Sequence, residues 1–275
     1  MARFFSALRR ERASLVYLLI ALCTVLACTL RTLALLCSFD AAVGYFVESS
    51  ALPIAASLGI LIATLLCAAI PFLINIGAVP QEKEALPTPH FLTAAAAAIL
   101  SGITALYLLI CVNNVPTSPL LVLLTALCWL GSAAYFLSRV LHAKLRTAAI
   151  LGFFPILAAA LSLSLTYFDR YTQMNAPHKT SMHLCMLAVM FAVLYELRAL
   201  LSRAMPRACA FVTALAASLC TVYSLSNIIA FLGGVYDDLT YLVFDLVALG
   251  LAAYFIAKCL PIAAFRRVEE TEVKQ

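Results

Sequence analysis

Residues 13–39 read ASLVYLLIALCTVLACTLRTLALLCSF, an apolar run of 27 residues broken by one charge, Arg31. A helix crosses the hydrocarbon core of a bilayer with about 20 apolar residues. A secretory core needs only roughly 7–15. The tetrapeptide Val25–Cys28 has the look of a lipoprotein processing box, but the apolar run continues to Phe39. The segment is therefore expected to be an uncleaved first span, preceded by the basic arm Arg3, Arg9, Arg10 and Arg12.

The rest of the chain repeats the pattern. Of the 275 residues, 65% are hydrophobic and 11% charged, against about 25% charged in a soluble domain, and the mean hydropathy is +1.04. A soluble fold of this length cannot bury so much apolar surface. Composition excludes a soluble enzyme, a disordered chain and a nucleic-acid-binding domain. It predicts an all-α polytopic bundle forming one integral membrane domain over residues 1–275, with the lipid bilayer as its first partner.

Eight apolar stretches qualify as spans, at 13–38, 51–78, 91–112, 119–138, 147–168, 182–201, 208–232 and 241–262. Turn chemistry separates them: Asn113–Ser118, Gly233–Asp238, and a polar loop over 79–90 with three prolines. No connection has room for a soluble domain. With eight spans, 15 of the 18 Lys and Arg residues fall on one side, two (Arg170, Lys179) on the other, and Arg31 inside a span. Basic residues mark the cytoplasmic side, so both termini are expected inside. A plasma membrane, in the first instance a bacterial inner membrane, is the expected location. Tyr17, Tyr135, Tyr195 and Tyr254 are expected at the inner interface, with Tyr107, Tyr167, Tyr236 and Tyr241 at the outer one, as aromatic belts.

A short motif recurs. Ala133–Arg139 (AAYFLSR) ends span four, Ala252–Lys258 (AAYFIAK) ends span eight, and Tyr195-Glu-Leu-Arg198 occupies a similar depth in span six. Duplicated hairpins would explain this. So would an inner interface that simply selects Tyr followed by a cation, which is the reading favoured here. Glu196 and Arg198, two residues apart, do not share a helix face and are expected to meet neighbouring helices or headgroups.

Charges inside spans are costly and usually face the bundle interior. Arg31 lies roughly 12 Å and Asp245 roughly 6 Å in from the same outer side at 1.5 Å per residue, and they are candidates to pair as a gated ion pair, as a site for a solute or proton, or as a bridge that fixes helix register. Asn227 in span seven reaches a similar outer depth and completes the candidate polar site. Asp40, Asn113, Asp169 and His178 are outer-face polar candidates, the last in what reads as a solvated turn after Pro177. Met182, His183, Cys185 and Met186 are soft donors that suit Cu(I), but a methionine stripe at helical spacing usually packs. They remain weak candidates, and no metal or cofactor is expected.

The ten cysteines show no CxxC spacing, so no disulfide framework or zinc site is expected. One bridge among Cys37, Cys111 and Cys185 is the exception considered. Pro71 and Pro155 fall inside spans and can kink them. No GxxxG pair occurs, so close packing is expected from small residues such as Ala94, Ala98 and Ser101. HExxH, GxSxG, Walker A and GxGxxG are absent, which argues against an enzyme. Three functions stay open: a small-solute or ion transporter; a non-catalytic scaffold, sensor or subunit with a protein partner on the basic cytoplasmic face; and a lipid-modifying intramembrane enzyme.

Overall fold

A computed structural model describes residues 2–40, 43–47, 50–73, 88–113, 117–141, 143–169, 172–173, 176–201, 203 and 205–264, without the side chains of 2–14, 73, 88–89 and 260–264. Much of the loop over 79–90, including Lys83, lies outside the described residues, as do Asn114, Arg170, Arg266, Arg267 and Lys274.

The elements in order are α1 (Ala2–Ser38), β1 (Phe39–Asp40), β2 (Tyr45–Phe46), α2 (Leu52–Leu73), α3 (Thr88–Ile110), α4 (Pro119–Val140), α5 (Leu145–Leu151), α6 (Phe153–Tyr167), α7 (Pro177–Leu200), α8 (Pro206–Leu232) and α9 (Leu239–Ala264). The chain is a multi-pass membrane protein by these helices: eight segments are long and apolar enough to cross a bilayer, α5 and α6 together forming one of them. The break at Gly152 sits three residues before Pro155, whose ring clashes with the preceding turn and cannot donate a backbone hydrogen bond. α4, α7 and α8 begin on Pro119, Pro177 and Pro206, where a missing N–H costs nothing. A two-stranded hairpin that the sequence did not signal joins α1 to α2, turning at Gly44 with φ 79°.

Six helices close a ring in the order α3, α4, α6, α7, α8, α9, with α9 returning to α3, and the α1–α2 hairpin packs outside on α8. Burial follows this plan. α8, which touches α1, α2, α7 and α9, has 61% of its span window buried, and peripheral α2 only 22%. The ring interior is filled by Trp129, Phe136, Met182, Met186, Phe244 and Phe255, among others.

Small residues set the helix approaches. Ala94, Ala97, Ser101 and Ala105 are fully buried along α3, and Gly131 and Gly250 sit at crossings. A Cβ on Gly131 would lie 2.9 Å from Cβ of Phe154 and closer still to its ring. A Cβ on Gly102 would meet nothing within 4 Å. Gly131→Ala is therefore expected to destabilise the purified protein by about 1–3 kcal/mol through overpacking, while Gly102→Ala is neutral or stabilising by up to about 1 kcal/mol through helix propensity. Thermal melts of the two variants in the same detergent check this, and equal melting temperatures would contradict the packing.

Two sequence expectations are corrected. The connection after span five ends sooner than expected: α7 begins at Pro177, so His178 and Lys179 form its first turn and are buried, not solvated. Tyr135, Tyr241 and Tyr254 are buried among helices, not spread in an interfacial belt. All ten cysteines are unbridged, Cys37, Cys111 and Cys185 included.

Candidate functional site

α7 carries polar groups at both ends of an otherwise apolar helix. Lys179 and Glu196 are 17 residues apart, about 25 Å at 1.5 Å per residue. Each anchors a buried polar tier, and between them the ring is packed mainly with apolar side chains, with a bond from Trp129 Nε1–H to Ser162 Oγ at 3.0 Å among the few polar contacts.

The Asp245 tier draws on α1, α7, α8, α9 and the α8–α9 turn. His178 Nε2 bonds Asp245 Oδ2 at 2.9 Å, and Asn227 Nδ2 donates to Asp245 Oδ1 at 3.1 Å and to Ser181 Oγ at 3.2 Å. The imidazole lies between the rings of Tyr236 and Tyr241, each centroid 4.5 Å away. Arg31 enters from α1. Its Nε donates to Ser226 Oγ at 3.1 Å, its Nη2 to the Pro177 carbonyl at 3.3 Å, and its guanidinium lies 4.6 Å from the Tyr223 ring centroid. Arg31 is 7% exposed and Asp245 4%.

Arg31 and Asp245 are thus in one cluster but do not pair. Both carboxylate oxygens of Asp245 are taken by His178 and Asn227, and all the partners of Arg31 are neutral. Two polar atoms here are buried with no hydrogen-bond partner, Tyr236 Oη and Asn227 Oδ1. Burial pushes the Tyr236 phenol above its ordinary pKa, with the Arg31 charge pulling the other way. The group stays a neutral hydroxyl, free to donate.

Beside this tier, Asp169 Oδ2 accepts from Tyr241 Oη at 3.0 Å. Fully buried Lys179 donates to the carbonyls of Asp169 at 3.1 Å and Thr172 at 3.3 Å. A cavity of about 20 Å³, lined by Thr166, Asp169, Asp238 and Tyr241, has room for about one water. Asp40, in β1, and Asn113, in the turn after α3, are exposed.

The soft donors do not converge. Met182, Cys185 and Met186 are part of the apolar core, whereas His183 Nε2 meets Thr166 Oγ1 at 3.0 Å on α6. Among the described residues no three His, Cys, Asp or Glu side chains are grouped to hold a metal.

The second tier is centred on Glu196, which the sequence led us to expect against neighbouring helices or headgroups and which the structure places against neighbouring helices. Glu196, 5% exposed, accepts through Oε1 from Tyr254 Oη at 2.7 Å, pairs closely with Lys258 of α9, and lies 3.8 Å from Arg139 Nε of α4. His90 stacks on Tyr254 with centroids 5.1 Å apart. The two AAYF segments therefore aim their cations at one carboxylate. The motif was visible in the sequence, while its convergence was not. Arg198 points elsewhere, over the Tyr195 ring at 5.8 Å.

Compared with protein-family models, with curated proteins and with solved structures, the chain matches none.

Proposed function

We propose that the protein is a permease-like carrier for a small polar solute or ion, and that the cluster of Arg31, His178, Asn227, Tyr236 and Asp245 is where the solute is met. The observation that carries this reading is the company Arg31 keeps. A guanidinium buried in a bundle is expensive and normally marks a substrate or ion path. Here it has only neutral partners, beside two unpartnered polar atoms. A structural ion pair would be closed on itself, and this arrangement has donors and an acceptor to spare.

The second tier supports the same reading. Two polar layers separated by apolar packing suit a carrier that opens to one side at a time, and the broken span α5–α6 is the kind of element such proteins use. The positive-inside count supports an orientation with the Asp245 tier outward and the Glu196 tier toward the cytoplasm, in a plasma membrane. The role is non-enzymatic.

The second reading, a partner subunit without transport of its own, is favoured by the tight packing around the Asp245 tier, whose neighbouring cavity holds about one water. Native mass spectrometry of the protein released from mild detergent separates the two. The wild type is expected to retain a small molecule or ion that Arg31→Ala loses. A wild type that carries none, and holds a second polypeptide in fixed ratio, moves the assignment to a subunit.

A further inference from the structure

The charge balance of the Asp245 tier specifies a solute class. Its cation is Arg31 and its carboxylate Asp245, both buried, so with a neutral His178 the formal charges cancel. With a protonated His178 the tier carries one excess positive charge in a low-dielectric setting, where an uncompensated charge is strongly disfavoured. A bound anion removes that excess.

Geometry narrows the anion. Arg31 uses two of the five N–H donors of its guanidinium, on Ser226 and on the Pro177 carbonyl. The remaining planar fork matches a carboxylate, which it can hold through two parallel bonds. The Tyr236 hydroxyl, buried and without a hydrogen-bond partner, is a further donor, while the Tyr223 face steadies the guanidinium that lies 4.6 Å over its centroid. A cation has no place beside Arg31, and a neutral solute would leave the excess charge of a protonated His178 standing.

We infer that the solute taken by this tier is a small monocarboxylate, held by the Arg31 fork and accompanied by one proton on His178. This rests on the cluster being the solute site. The proton arrives from the side to which the tier opens and adds to the imidazole nitrogen opposite Nε2, while Nε2–H stays on Asp245. Carboxylate and proton cross together and leave together, so no net charge moves. The groups facing the imidazole are Tyr236 from the turn, and Asp245 and Tyr241 from α9, while Arg31 from α1 reaches the carbonyl of Pro177. The proton and the anion offset one another's charge in the cluster, which ties the two binding events together.

The test uses the full-length protein in liposomes, set at about pH 6 outside and about pH 7.5 inside, either side of the ordinary imidazole titration. Uptake of labelled lactate, methylammonium, chloride and glucose is measured against protein-free liposomes, which account for undissociated acid crossing the lipid. Melting temperatures of the detergent-solubilised protein are read with each solute. The expected result is lactate uptake that is faster with the acidic exterior than with equal pH, and stabilisation by lactate alone. Arg31→Lys keeps the charge but not the fork and is expected to lower lactate uptake about tenfold or more. His178→Gln is expected to abolish the acid stimulation.

Transport of methylammonium, chloride or glucose in place of lactate overturns the monocarboxylate and leaves the solute site standing. Lactate uptake that ignores pH in the wild type overturns the proton. If no solute moves or stabilises the protein, both the class and the site fall. The wild-type measurements decide these outcomes even if a variant does not fold.

Discussion

A Glu196→Ala variant is expected to lose most of its folded yield. Glu196 is the shared anion for Arg139 and Lys258, whose side chains are 10% and 19% exposed, and it accepts the Tyr254 hydroxyl. Removing it takes away the carboxylate that the two cations share inside the bundle. Breaking a buried pair from one side costs about 3–5 kcal/mol, because the survivor stays buried and uncompensated. At roughly 2–4 °C per kcal/mol, the melt should fall by on the order of 10 °C. Two companion variants separate charge from packing. In a Glu196→Gln background, Lys258→Met should recover more than half of the loss, since removing both partners is far cheaper than removing one. Tyr135→Phe should be neutral or slightly stabilising, because the Tyr135 hydroxyl is buried without a hydrogen-bond partner. A Glu196→Ala protein that melts within about 2 °C of wild type, a shift worth under ~1 kcal/mol, would mean that this tier is solvated and not structural.

How far the fold was legible follows from what lipid selects. Depth along a span is written in the sequence at about 1.5 Å per residue, so the eight segments and the placement of Arg31, Asn227 and Asp245 toward one side were readable. Rotation about the helix axis was not. α7, α8 and α9 are apolar nearly all round, and no stripe marks the inward face. The partner of Asp245 therefore could not be chosen among the polar groups toward that side. His178 was misjudged for a local reason: Pro177 signals a turn in water, yet it is equally at home in the first turn of a helix. Once α7 starts there, His178 and Lys179 are carried into the bundle. The Tyr135 and Tyr254 motifs failed for a related reason. A tyrosine followed four residues later by a cation satisfies an interface and an inter-helix carboxylate equally well. Only the ring closure of α4, α7 and α9 around Glu196 distinguishes them.

Asp245→Asn should leave the protein folded at neutral pH and remove its response to acid. The introduced amide has nearly the same shape. Its oxygen can still accept from Asn227, and its NH2 faces the imidazole. A neutral His178 adapts by moving its proton to the other ring nitrogen and accepting through Nε2, so no buried donor or acceptor is stranded. The protonated imidazole has no such escape, because both nitrogens then donate and one of them points at an NH2. The negative charge that favoured the added proton is also gone, while Arg31 remains in the cluster. Losing the anionic partner of a buried cation costs about 3–5 kcal/mol, roughly a hundredfold or more in any equilibrium that needs the protonated form. The variant should therefore melt close to wild type at neutral pH, with proton-dependent uptake lost. Asp245→Leu, which strands both His178 and Asn227, should be unstable at every pH. If Asp245→Asn takes up lactate with the same acid stimulation as wild type, the proton does not travel on His178, and the Asp245 tier serves packing between α7, α8 and α9 alone.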